Sequence, residues 1–146
     1  MSKSIKFSND IYFDSKGIVH KSGTQMIPLN TYLNGIIESG NNENGSYTKF
    51  EDGTLICNYT QIVNTNVENA WGSIFVSPYI TLHNFPVSFV NIPEVSIQAC
   101  RAQSTWIISG SENSKIKPMD VYLGTAVKIP DNFDFPINVI AKGKWK

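Results

Sequence analysis

From Ser46 onward, apolar and polar residues alternate with the period of two that marks half-buried strands. SYTKF, residues 46–50, is followed by EDG and then by TLICNYTQIV, residues 54–63. Asp52-Gly53 supplies the positive φ that a tight hairpin turn requires. In the second strand Leu55, Cys57 and Tyr59 fall on one face, and Ile56, Asn58, Thr60 and Ile62 on the other. NTNVEN reads as a loop, and Trp71–Val76 and Tyr79–Leu82 as short strands broken by Pro78. NFPVSFVNIP carries two prolines, which suits a corner or an edge connection rather than a central strand. EVSIQACR, STWIISG, DVYLGTAVKI and PINVIAKGKW read as further strands, with SENSKIKP as a loop and IPDNFDF as a turn. Seven or so strands at spacings of about 8–12 residues predict an all-β fold, an antiparallel β-sandwich.

The front third follows a different pattern. IKFSNDIYF and IVH read as two short strands around the turn DSKG, and KSGTQM as a loop. Pro28 is placed to open a helix over LNTYLNGIIE, whose Leu29, Leu33, Ile36 and Ile37 make one apolar stripe. SGNNENG reads as a polar linker. The predicted division is residues 1–42, a strand–strand–helix module, and residues 43–146, the sandwich. Two short strands and one short helix bury too little surface to stand alone. The module is therefore expected either to dock on the sandwich or to pack against copies of itself, and the stripe favours the second.

Composition narrows the function classes. Lys+Arg and Asp+Glu both number 12, so no basic excess is present to grip nucleic-acid phosphates, and no nucleic-acid partner is expected. No run of about 18 apolar residues predicts membrane insertion. The opening MSKSIKFSND lacks the apolar core of a secretory signal, which predicts synthesis in the cytoplasm. Cys57 and Cys100 are too few for a disulfide framework; buried thiols are the plainer reading, with a Cys57–Cys100 bridge as the lesser alternative. Neither His20 nor His83 has neighbours at metal-ligand spacing, and no nucleophile elbow or phosphate loop occurs. Asp131 and Asp134 could form a paired-carboxylate site, but turn-forming Asp is the plainer reading. Neither enzymatic activity nor a cofactor is expected.

Three segments carry a resemblance. NGSYTKFEDGTLIC opens the second region, an F-P-V-S-F-x-x-x-P-x-V pattern spans Phe85 to Val95, and N-V-I-A-K-G-K-W closes the chain at Asn138 to Trp145. In that order, over about residues 43–146, they resemble the carboxy-terminal domains of bacteriophage tail fibres and related receptor-binding proteins. Lys144 stands where that family often has Arg. IYFDSKGIVH with TYLNGIIESG is similar to the connector ahead of such domains in phages of Gram-positive bacteria. The resemblance implies a six- or seven-stranded sandwich similar to the H-type lectins. It also implies a homotrimer in the virion tail, among other tail proteins, that binds a host cell-surface glycan.

A glycan site needs flat aromatic faces to stack on a sugar ring and planar polar groups to read its hydroxyls. Loops and strand ends offer Trp106, Arg101, Tyr79, His83, Asn84, Asp120, Tyr122 and Trp71 as candidates. Each has a structural alternative: a core aromatic for Trp106, a solvated strand end for Arg101, a rim residue for Trp71, an ordinary loop residue for His83. Trp145 is expected to pack structurally. The competing function is a tail or trimerisation component with no ligand of its own. An exposed aromatic–carboxylate cluster would favour the receptor-binding reading, and a smooth tip of Asn, Ser and Thr the structural one.

Overall fold

The structure, a computed structural model, describes residues 5–6, 11–14, 17–22, 25–28, 35–100 and 104–146. The described residues form strands and turns without a helix. At the front, β1 (Ile5–Lys6), β2 (Ile11–Asp14), β3 (Gly17–Ser22) and β4 (Gln25–Pro28) pair in sequence order as an antiparallel meander. Lys21 and Ser22 of KSGTQM thus end β3 and pair with Met26 and Gln25 of β4. Pro28 closes β4 rather than opening a helix. Leu29 and Leu33 of the expected stripe lie outside the described residues. Ile36 and Ile37 belong to a strand, so the helix over LNTYLNGIIE does not extend through them.

The remainder is two antiparallel sheets. The larger has the order β10 (Glu94–Ala99), β13 (Ile129–Lys144), β7 (Thr54–Val67), β6 (Gly45–Phe50) and β5 (Ile36–Asn42). The smaller has the order β11 (Thr105–Ser109), β12 (Val121–Thr125), β9 (Ile74–Val76) and β8 (Asn69–Trp71). The stretch read as a linker is therefore the second half of β5 and the turn of the β5–β6 hairpin, in which Asn42 pairs with Gly45. NTNVEN and IPDNFDF also differ from expectation: most of the first completes β7 and the second opens β13. Asn64, Asp131, Asn132 and Asp134 occupy exposed positions of these long strands, while Thr65 is buried, beside a register shift between Ile129 and Phe133.

One apolar core joins the sheets. Leu55 and Cys57 of β7, Phe135, Ile137, Val139 and Ala141 of β13, and Val121 and Leu123 of β12 are all buried in it. These are alternate positions, as a sheet with one wet face demands. The proline-marked segment between β9 and β10 adds Ile80, Leu82, Phe85 and Phe89, the two phenylalanine rings meeting edge to face at 5.1 Å. Its backbone is tied elsewhere, Phe85 N–H to the Ile116 carbonyl and Val90 N–H to that of Lys144.

The Asp52-Gly53 turn forms as its sequence predicts. Gly53 has φ 84° and its N–H donates to the Phe50 carbonyl, while Asp52 accepts from both the backbone and the hydroxyl of Thr54. Trp145 fastens the chain end to this turn. Its indole donates to the Phe50 carbonyl at 3.0 Å, its N–H donates to the Gly53 carbonyl, and its ring packs against the core.

Candidate functional site

The outer face of the four-stranded sheet gathers most of the candidate aromatics. Leu123 and Val121 of β12 point into the core, so Asp120, Tyr122 and Gly124 point outward. The β11–β12 register places Trp106 opposite Gly124 and Ile108 opposite Tyr122. Ile80 bridges Val121, which brings Tyr79 opposite Tyr122 on the same outer face. Trp71 comes from β8, its ring 6.2 Å from that of Tyr122, and Tyr79 meets Tyr122 edge-on at 5.3 Å.

Two of these rings rest on glycines. A Cβ at Gly124 would stand 2.6 Å from Trp106 Nε1, and one at Gly110 would stand 2.7 Å from Tyr79 Cε2. Any larger residue would lift the ring off the sheet. The result is a face of flat rings with substantial exposure: Trp71 54%, Tyr79 47% and Trp106 40%. Trp106 is therefore a surface aromatic and not part of the core.

A polar group closes one end of this face. Tyr79 donates its hydroxyl to Asp120 Oδ2 at 3.2 Å, and Lys117 Nζ lies 2.7 Å from Oδ1 and 2.9 Å from Oδ2. The Leu82 N–H donates to Oδ1 at 3.0 Å. Burial pushes the Asp120 carboxyl up, but the hydrogen bonds from Lys117, Leu82 and Tyr79 outweigh it and hold the group below the usual carboxylate range. The folded carboxyl thus titrates below its unfolded counterpart. Its stabilisation is present above the ordinary value near 3.8 and is lost as pH falls through the lower, folded value. We expect the acid limb of the stability–pH curve, followed by urea unfolding, to flatten in Asp120→Asn. An acid limb identical to that of the parent protein would show that the carboxylate contributes nothing.

The other candidates lie apart. His83 is stacked on Tyr59 with centroids 5.9 Å apart, its N–H donates to Gln61 Oε1, and its carbonyl accepts from the Tyr59 hydroxyl. Asn84 is exposed in the same segment. Arg101 lies outside the described residues. Lys117 and the two ring-bearing glycines were missed by the sequence reading. A glycine inside or just past a strand signals close approach of a neighbouring group, which is the signal that could have found Gly110 and Gly124.

Cys57 and Cys100 are both free thiols; Cys57 is buried as expected, its thiol pushed up to about 11 by burial, whereas Cys100 is exposed. Asp134, read chiefly as a turn residue and only secondarily as half of a carboxylate pair, lies in β13 and accepts from Asn64 across the β7–β13 pair. Among the described residues no group of three or more His, Cys, Asp or Glu is placed to hold a metal ion, and no helix is long and apolar enough to cross a membrane.

The chain matches no protein-family model and no curated protein. Among solved structures it superposes on an N-truncated R1-type pyocin tail fibre with a TM-score of 0.46 at 10% sequence identity, covering 79% of this chain and 93% of that one.

Proposed function

We propose that this chain is the receptor-binding tip of a phage or prophage tail fibre, a homotrimer that recognises a host cell-surface saccharide and performs no catalysis. The observation that carries this reading is the exposed face of Trp71, Tyr79, Trp106 and Tyr122 with Asp120 and Lys117 at its end. Flat rings offer stacking surface to the apolar side of a sugar. Asp120 held in its charged form does not suit a general acid, which needs a raised pKa; its bonds to Lys117 and Tyr79 instead hold those two groups in place at the end of the face. The three ordered segments that resemble tail-fibre domains add support, because their residues build the frame: the Asp52-Gly53 turn, the Phe85–Phe89 pair and the Trp145 fastening.

Self-association is supported by the edge strand β5, where Ile36 and Ile37, exposed at 48% and 52%, present an apolar pair to a partner. Two measurements test the reading. An array of bacterial surface glycans probed with the intact protein should show selective binding, and light scattering at micromolar concentration should return three times the chain mass of 16.3 kDa. No binding on the array overturns the receptor role, and a mass of one chain overturns the trimer.

A further inference from the structure

The register of the five-stranded sheet builds a second recess. β6 begins at Gly45 and its first pairing to β7 is Ser46 with Asn58, whereas β7 runs on to Val67. Past Asn58, β7 has β13 on one side and no paired strand on the other among the described residues. The step leaves a cleft of about 570 Å³ between the 42–45 turn, β7, β13 and His83. That size falls within the range of small-ligand sites.

The walls are mostly uncharged, and two of their amides are held in place. Asn42 is held by donating to the Pro86 carbonyl and accepting from the Asn44 N–H. Asn138 is held by the Thr60 hydroxyl and by donating to Cys100 Sγ. Each of these amides keeps a second N–H, and the Thr60 oxygen keeps its lone pairs. The Asn58 amide and the Ser46 hydroxyl make no side-chain hydrogen bond to any described residue. Ile140 gives an exposed apolar patch on the floor, and the Tyr59–His83 stack forms one side. Burial pushes the Tyr59 phenol far up, so it stays neutral. Glu43 brings the one carboxylate to the lining. Amides and hydroxyls around an apolar patch, two of the amides held in place, with little charge, match a neutral ring bearing several hydroxyls better than a phosphate or a cation. Fixed polar groups also lower the ordering cost of binding.

We infer that this cleft is a second saccharide-binding subsite, taking a neutral hydroxyl-rich ring, on the sheet opposite the aromatic face. It does not depend on the aromatic face being a binding site. The test is an amide- and indole-detected NMR titration of the intact protein with the methyl glycosides of glucose, galactose and N-acetylglucosamine. With at least one probe, signals of residues 42–46, His83 and the Asn58 side chain should move.

The Asn58→Ala/Thr60→Val variant should bind about tenfold more weakly, as expected for two lost hydrogen bonds. Asn58→Trp, at an exposed position, should fill the cleft and remove the response by another route. Trp106→Ala should leave it unchanged. The inference is overturned if no cleft signal moves with any probe, or if both cleft variants respond like the parent. Movement of the Trp71 and Trp106 indoles alone sinks the cleft and leaves the aromatic site standing. Movement of cleft signals alone supports the cleft and counts against the aromatic face.

Discussion

Trp106→Ala is expected to keep its fold and lose attachment to host cells or glycans. The ring lies outside the core, so its removal leaves no internal cavity. It rests on Gly124, which holds it flat and lowers the cost of presenting it to a ligand. Well-packed aromatic anchors at recognition surfaces are worth about 2 kcal/mol or more, which is roughly thirtyfold in affinity. The measurement is binding to the best glycan of the array, with far-ultraviolet circular dichroism and thermal unfolding as fold controls. Ile62→Ala, on the outer face of the other sheet, serves as a control for surface truncation away from the rings. Unchanged binding by Trp106→Ala would remove the indole from the site. A loss shared equally by Ile62→Ala would shift attention to assembly.

The sequence showed the sheets more readily than their lengths. Leu55 and Cys57 alternate with Ile56 and Asn58 because one face of β7 is dry, and that periodicity survives without knowledge of neighbours. The Asp52-Gly53 turn was legible because only a few residues tolerate its backbone. NTNVEN and IPDNFDF were not, because Asn and Asp lose their turn meaning once a long partner strand satisfies their backbone. SGNNENG hid an edge strand for a related reason: among the described residues β5 is paired on one side alone, so it demands little of its side chains. Ile36 and Ile37, placed on a helical stripe, show how short apolar runs leave the period ambiguous.

The candidate site was legible by residue type and only partly by place. Trp71, Tyr79, Trp106, Asp120 and Tyr122 come from four separate segments, and the register of β8, β9, β11 and β12 is what assembles them. Tyr79 and His83 are four residues apart in the chain, yet they serve different surfaces. The intervening chain is fastened at Leu82 to Asp120 and at His83 to Gln61 of β7. Lys117 was unreadable because its meaning comes from an ion pair to Asp120 fixed by the local turn, where Ser114 bonds the Lys117 backbone.

Phe135→Ala carries the largest expected cost in stability. Read as sequence, Phe135 ends a turn; in the fold it is fully buried at the centre of β13, opposite Val63 of β7. Truncating a buried phenylalanine costs about 3–5 kcal/mol through lost transfer energy and the cavity left behind. Ile140 lies five residues along the same strand and on the other face, exposed at 54%. Ile140→Ala should therefore cost no more than about 0.5 kcal/mol in the protomer. Urea unfolding of both variants separates the two accounts of residues 129–135. A strand that runs unbroken from Ile129 puts Phe135 in the core and gives the large difference. A turn there would leave Phe135 near the surface and the two variants nearly alike.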